Sequence, residues 1–185
     1  MRRILCFVAL IVCVTLFSCG DNENTDSTNE NIEAPKELKG YEELDLNKWG
    51  FQMSIMVPNA EQNGTANVVL TERGALEIVI GSSYGIEIMY GEGDIDLLKM
   101  DLKEDLVFSS KIIKEEEDYL IYKQDIPDSG VKTQNHFFYR VQVGTDIYEV
   151  RDLIDGNYGS GMIEKMIESV NTLKGKKPLP VKVEA

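Results

Sequence analysis

Short apolar runs separated by turn residues are the feature that most restricts the fold of this chain. In residues 51–57 apolar and polar side chains alternate in steps of two, and Pro58 follows the run. Alternation of this kind gives a strand one apolar face, and strands joined by short turns pair antiparallel. Further runs predict strands at residues 65–73, 75–80, 84–90, 106–114, 119–126, 135–143 and 146–153. We therefore predict a twisted antiparallel sheet of about six or seven strands.

Two segments have the period of an α-helix instead. Asp94 is the predicted N-cap of a short middle helix that ends near Asp105. Its apolar stripe consists of Ile95, Leu98, Leu102 and Leu106. A C-terminal amphipathic helix is predicted from Ser160 as N-cap to Gly175 as C-cap, with Lys174 in its last turn. With both helices packed on the sheet, the predicted fold class is α+β.

The order of these elements resembles the PsbP-like superfamily. The resemblance covers residues 41–174 and rests on a polar and aromatic lead-in, the strand GFQMSIMVP, a meander and the final helix MIEKMIESVNTLK. It implies a non-enzymatic accessory or protein-binding subunit, and bacterial members of that superfamily are often small lipoproteins. Fold analogy alone does not transfer function.

The N-terminal residues have the composition of a secretory signal. Arg2 and Arg3 precede an apolar run at residues 4–17, which is 14 residues long and shorter than the ~20 residues that a transmembrane helix needs. Leu16-Phe17-Ser18-Cys19 resembles the lipobox of bacterial lipoproteins. The resemblance implies a signal peptide at residues 1–18, cleavage before Cys19, and lipid on that cysteine that anchors the chain in a membrane.

The residues after the cysteine bear on where the anchored protein resides. Gly20 follows Cys19, in place of the Asp that retains some lipoproteins at an inner membrane, so we expect the outer membrane. Asp21, Asn22 and Glu23 fit either a surface-export tag or a plain polar linker, which leaves the periplasmic face and the cell surface both open. We expect a flexible acidic linker at residues 19–39, one domain at 40–175 and a flexible tail at 176–185.

Cysteine usage and charge exclude several functions. Cys6 and Cys13 lie in the signal and Cys19 takes the lipid, so the predicted mature domain has no thiol nucleophile, cysteine zinc site or redox motif. Loss of Arg2 and Arg3 leaves 17 of the 19 basic residues against 32 acidic ones, a formal charge of −15. Such a chain repels polyanions, so we expect no nucleic-acid partner and no electrostatic attraction to an anionic membrane surface.

The candidate catalytic and metal-ligating residues have simpler structural explanations. His136 is the single histidine, and no nucleophile motif accompanies it, so no catalytic residue is assigned. Residues 155–160 alternate oxygen ligands like a calcium loop, but Met166 stands where an EF-hand supplies Glu, which favours a turn. Glu92, Asp94 and Asp96 fit the N-terminus of a helix better than a cation site. We predict no cofactor and no metal.

The acidic run between two predicted strands is the candidate partner surface. The predicted turn of this hairpin, called here the acidic tip, consists of Glu115, Glu116, Glu117 and Asp118. It could bind a cation or a basic partner, or be exposed only to solvent. An aromatic surface is a second possibility, with some of its members in the core: Tyr84, Tyr90, Tyr119, Tyr122, Phe137, Tyr139 and Tyr148.

The sequence favours a non-enzymatic, lipid-anchored accessory or binding domain that engages another envelope protein. Two other functions stay open. A small-ligand carrier requires an apolar cavity of ~300 Å³ or more. An envelope hydrolase requires a pocket with two convergent carboxylates of shifted pKa.

Overall fold

The computed structural model describes residues 38–176, and within them the predicted α+β class is confirmed. Ten strands form two antiparallel sheets, and three α-helices accompany them. The predicted signal, the predicted lipidation site Cys19, most of the predicted linker and most of the predicted tail lie outside the described residues. None of the helices within residues 38–176 is long and apolar enough to cross a membrane.

The larger sheet is the predicted antiparallel sheet. Its strands are β3 (Asn67–Leu70), β4 (Leu76–Ile80), β5 (Tyr84–Tyr90), β6 (Ser109–Glu115), β7 (Tyr119–Asp125), β8 (Gln134–Val143) and β9 (Asp146–Asp152). Their spatial order is β3-β4-β5-β9-β8-β7-β6, so β3 and β6 are the edges of this sheet. The period-two pattern places the strands correctly because one face is buried, as at Leu76, Ile78 and Ile80 of β4.

A second, three-stranded sheet was not predicted. It consists of β1 (Tyr41–Asp45), β2 (Met53–Pro58) and β10 (Lys174–Gly175) in the order β1-β2-β10. Glu43 ties the three strands together, since its carboxylate accepts hydrogen bonds from Ser54 at 2.7 Å and from Lys174 at 3.0 Å. The Ser54 hydrogen bond and the two lysines Lys174 and Lys176 lower the pKa of Glu43 to about 2.

The main core lies between one face of the larger sheet, the small sheet and the helix α3 (Ser160–Val170). Ile163, Met166 and Val170 are the fully buried apolar residues of the helix. They belong to one cluster with Ile78 and Ile86 from the larger sheet and with Met53, Ile55 and Phe137. This packing confirms the apolar stripe predicted for the C-terminal helix.

Both predicted ends of α3 are wrong. The N-cap is Gly159, without a side-chain hydrogen bond, and Ser160 is already the first helical residue. The helix ends at Val170 rather than near Gly175. Thr172 stops it, because its side chain donates to Ser169 O at 2.6 Å and accepts from Met56 N at 2.8 Å. Lys174 and Gly175, predicted as last turn and C-cap, instead pair with β2 as a short strand.

The middle helix α2 (Ile95–Glu104) begins as predicted, because the Asp94 carboxylate accepts a hydrogen bond from Leu97 N at 2.8 Å. Its predicted end near Asp105 is confirmed, since Glu104 is the last helical residue and Asp105 is the C-cap, but Leu106 of the predicted apolar stripe lies outside the helix. Asp105 accepts hydrogen bonds from the backbone N–H groups of Val107 and Phe108 at 2.7 and 2.9 Å, which turns the chain out of the helix. Strand β6 therefore begins at Ser109 rather than at 106, and Leu106 is fully exposed.

Smaller differences concern the first third of the domain. The strand predicted at 51–57 is Met53–Pro58, and the hairpin predicted at 65–80 is Asn67–Leu70 with Leu76–Ile80. The polar loop before it contains the one-turn helix α1 (Ala60–Asn63), capped by the Asn59 side chain, and a 3-10 turn at Asn47–Trp49 precedes β2.

Candidate functional site

The helix α2 packs on the face of the larger sheet opposite to α3. Side chains of successive strand residues point to opposite faces, and Phe137 belongs to the main core, so Phe138 lies on the other face. Phe138 and Tyr122 line a depression together with Leu97 and Leu98 of α2. The helix thus lies over a part of this face to which β7 and β8 contribute.

An apolar groove runs between α2 and the edge strand β6. It encloses about 620 Å³. Its apolar lining consists of Met100 and Leu102 from the helix and Ile112 from the strand. We call this feature the α2–β6 groove. Its volume lies within the ~300–1,000 Å³ that is usual for binding sites.

Exposed apolar side chains concentrate in the segment of the chain that contains α2 and β6, whose Met100 and Ile112 line the groove. Among the described residues 12 large hydrophobic side chains are exposed, and six of them fall within residues 97–113. These six are Leu97, Met100, Leu106, Val107, Ile112 and Ile113. Scattered apolar side chains are normal on protein surfaces, but a concentration of this kind is typical of an interaction site.

The charges along the groove are opposite to those of the whole chain. Three lysines and one aspartate line it: Lys99, Lys103, Lys111 and Asp96. Lys99 is neutralised by Glu115 at 2.7 Å and by Asp96 at 3.3 Å. Lys103 and Lys111 form no ion pair within residues 38–176. This small surface is therefore basic on a chain whose formal net charge is −13.

The structure brings the acidic tip together with two of the carboxylates at the start of α2. Asp94 and Asp96 line one shallow depression with Glu115, Glu116, Glu117 and Asp118. Arg140 lies beside them, 3.6 Å from Asp118. Within residues 38–176 no three carboxylate, histidine or cysteine side chains are arranged to hold a metal ion. The depression adjoins the groove through Lys99, so one surface has an acidic end and a basic, apolar end.

His136 is buried and hydrogen-bonded to an aspartate. Its Nδ1 lies 2.8 Å from Oδ2 of Asp152, and both side chains are at most 5% exposed. Because an ionised carboxylate can only accept, the imidazole donates this hydrogen bond. The other oxygen of Asp152 accepts from Phe137 N at 2.8 Å. The arrangement joins β8 to β9, and Tyr122 packs on the imidazole with ring centroids 5.3 Å apart.

Burial raises the pKa of Tyr122 to about 12, and the negative charge of Asp152 adds to the effect. The Tyr122 hydroxyl is therefore protonated at neutral pH and is not a general base. Nε2 of His136 is buried without a hydrogen-bond partner among the described residues. The hydrogen bonds that Asp152 accepts from His136 and from Phe137 N favour a role for the pair as a structural clamp between β8 and β9.

Glu87 forms a second charged cluster, in a cleft that no residue of α2 lines. Its carboxylate, with the side chain 5% exposed, pairs with Arg73 and lies 3.7 Å from Arg151. Arg151 also pairs with Glu149 at 3.0 Å. Glu87, Asp152 and both arginines line a cleft of about 230 Å³. Glu77 and Asp155 line the same cleft. The two buried carboxylates, Glu87 and Asp152, accept bonds from protein donors.

The aromatic residues do not form one surface. Tyr84, Phe137 and Tyr148 are buried in the main core, whereas Tyr122 lies on the opposite face of the sheet. Tyr90 is 54% exposed and packs on Tyr148 with ring centroids 4.6 Å apart. Tyr119 stacks on Tyr139 at 5.2 Å as a cross-strand pair, which stabilises the hairpin.

The segment 155–160 has a packing role. Its Tyr158 is buried in the main core, and the backbone carbonyl of Tyr158 accepts a hydrogen bond from Asn135 at 2.8 Å. The tyrosine hydroxyl fills the space beside Gly85, where an added Cβ would lie 2.0 Å from it. These contacts explain Gly85 and Tyr158 without a bound cation.

Comparison with known proteins found no matching family model, curated protein or solved structure. The two resemblances drawn from the sequence therefore stay predictions. Sequence reasoning selected the acidic tip but missed the groove beside it. The missed residues are Met100, Lys103 and Ile112. A signal was present, since Leu97 and Met100 lie off the apolar stripe of α2 and would have no partner in a helix that buries one face.

Proposed function

We propose that this chain is a lipid-anchored protein of the bacterial cell envelope whose single domain binds another protein and catalyses no reaction. Residues 1–18 act as a signal peptide, and lipid on Cys19 holds the domain at the outer membrane. The partner binds the surface formed by the α2–β6 groove and the acidic tip. The partner is another protein of the envelope, and its binding involves no nucleic acid and no cofactor.

The observation that carries the proposal is the concentration of exposed apolar side chains on α2, on β6 and between them. Met100 is 57% exposed, Val107 is 59% exposed and Leu106 is fully exposed. A folded domain gains nothing in stability from apolar side chains that stay in water, and burial against a partner would stabilise a complex by ~25 cal/mol per Å². The charged residues on both sides of the apolar part match the polar rim that surrounds most interfaces.

A small-ligand carrier is the second candidate function, because the groove has the volume of a ligand site. Protein binding is favoured because only one helix and one edge strand line the groove. Ligand pockets usually bury ~70–90% of a small molecule, whereas a groove with two walls leaves much of it in water. The hydrolase alternative is disfavoured because Glu87 and Asp152, the buried carboxylates of the described residues, are engaged by arginine, histidine and backbone donors.

The anchor is tested with the precursor variant Cys19→Ser, expressed in a bacterium that processes lipoproteins. We expect the protein to move from the membrane fraction to the soluble envelope fraction and to lose labelling by a clickable palmitate analogue. An unchanged membrane-bound fraction would refute the anchor and leave the binding proposal in place.

The binding proposal is tested by a quantitative crosslinked pull-down from native envelopes. The groove variant is Met100→Glu with Ile112→Glu, and the tip variant neutralises the four acidic residues to Gln or Asn. The matched control is Val69→Glu with Leu70→Glu, since these side chains are 45% and 49% exposed on the opposite edge strand. We expect one protein that the wild type and the control retain and the groove variant loses. Equal recovery with all variants would contradict the proposal.

A further inference from the structure

We infer that the partner binds the α2–β6 groove as an extended segment that pairs with β6 and so adds an eighth strand to the larger sheet. The segment carries apolar side chains at alternate positions and acidic side chains between or beside them. This inference rests on the proposed function and names the mode of binding and the chemistry of the partner.

Within residues 38–176, strand β6 has an unpaired backbone edge. This strand is one end of the seven-stranded sheet and pairs only with β7. Alternate N–H and C=O groups of an edge strand point away from the sheet and can pair with another chain. The pairing with β7 keeps one register from Ser109 to Ile112, and the register shifts between Ile112 and Lys114. About four residues of β6 are thus available as a template, ~13 Å of strand.

The α2–β6 groove lies beside this edge. Residues of α2 form one wall, and Ser110 and Ile112 of β6 form the other. A segment paired with β6 would direct every second side chain toward the groove, where Met100, Leu102 and Ile112 provide apolar contacts. An edge strand with a helix beside it is the geometry used by domains that recognise peptides by strand addition.

The α2–β6 groove carries positive charge. Lys103 and Lys111 line the same groove and form no ion pair within the described part of the chain. Acidic side chains on the added segment would therefore be attracted, and basic ones repelled. Electrostatic complementarity of this kind gives specificity and a faster association rate.

The charges also disfavour a second copy of this chain as the occupant. Antiparallel pairing of two β6 strands would bring Lys111 and Lys114 of each copy close together. Each copy also has a formal net charge of −13, so the remaining surfaces repel one another. An acidic, alternately apolar segment of a different protein meets neither obstacle.

The test uses the full chain in detergent micelles and a library of random twelve-residue peptides displayed on phage. The highest-affinity peptide is synthesised, and its binding is measured by fluorescence anisotropy and by amide hydrogen exchange observed with NMR. We expect selected peptides that are acidic and alternately apolar. Exchange should slow at least tenfold at alternate amides within residues 109–112 when the peptide binds, because strand pairing protects those groups.

Two variants accompany the peptide measurement. Lys103→Glu should weaken binding roughly tenfold through charge reversal. Lys165→Glu, a matched change at an exposed residue of α3 on the other side of the sheet, should leave the affinity unchanged. Because both side chains are exposed, both variants are expected to fold.

Each result decides the inference. Selection of no peptide, or binding that leaves the β6 amides unprotected, overturns strand addition, and so does self-association of the chain through β6. A peptide that binds the groove as a helix would leave the β6 amides unprotected and would therefore also overturn strand addition. The pull-down tests the proposed function separately from strand addition. If the groove variant loses the captured protein, the binding surface is established even when strand addition fails.

Discussion

Asp152→Ala tests the interpretation of the buried histidine pair as a structural clamp. The side chain of Asp152 is 2% exposed and accepts two hydrogen bonds, from Phe137 N and from His136 Nδ1, each at 2.8 Å. Truncation leaves two buried donors without an acceptor, and each such loss costs ~1–3 kcal/mol. We therefore expect the free energy of unfolding to fall by about 4 kcal/mol, a large part of the ~5–15 kcal/mol that holds a domain folded.

The matched variant Asp152→Asn keeps an oxygen for the Phe137 N–H group and retains a polar group beside His136 Nδ1, so its expected cost is ~1 kcal/mol. The assay is urea unfolding at pH 7, followed by the fluorescence of Trp49, the one tryptophan of the chain, and by circular dichroism. A loss of less than ~1 kcal/mol for the alanine variant would refute the clamp. It would also mean that His136 and Asp152 are not bonded as described.

Three further predictions concern stability. Glu43→Gln should lower the free energy of unfolding by about 1 kcal/mol at pH 7, as expected for an exposed ion-pair cluster. Because the folded pKa of Glu43 is lowered to about 2, the difference between variant and wild type should fade in urea titrations as the pH falls from about 4.5 toward 2. A difference that does not depend on pH would contradict this prediction. Gly85→Ala should cost ~1–3 kcal/mol, since its Cβ would lie 2.0 Å from the hydroxyl of the buried Tyr158; an unchanged melting temperature would contradict that contact. Leu106→Ser should change stability by less than ~0.5 kcal/mol, because Leu106 is fully exposed, and a clear loss in thermal unfolding would show that this side chain is buried.

The sequence predicted the larger sheet well because its strands bury one face and so alternate visibly. It failed for the small sheet, where β10 has only two residues and owes its existence to pairing with Met53 and Ser54 of β2. The predicted end of α3 was wrong for a related reason. A local pattern favoured Gly175 as C-cap, but the hydrogen bonds of Thr172 across to Met56 end the helix earlier. Contacts between residues distant in sequence leave no local signal.

The candidate site was predicted only in part. The acidic tip is a run of four charges and can be read directly from the sequence, whereas the groove depends on where α2 lies relative to β6. The juxtaposition of Asp94 and Asp96 with the acidic tip has the same origin, since about 20 residues separate the two segments along the chain. The His136 and Asp152 pair links the adjacent strands β8 and β9, a contact that depends on the pairing of the two strands.

Site-specific photocrosslinking in intact cells tests the central claim most directly. A benzoylphenylalanine residue replaces Met100 in one strain and Leu70 in another, positions that are 57% and 49% exposed on opposite sides of the domain. The account predicts one discrete crosslinked protein from position 100 and none from position 70. Equal crosslinking from the two positions, or none from position 100, would contradict the claim that the α2–β6 groove is a binding surface.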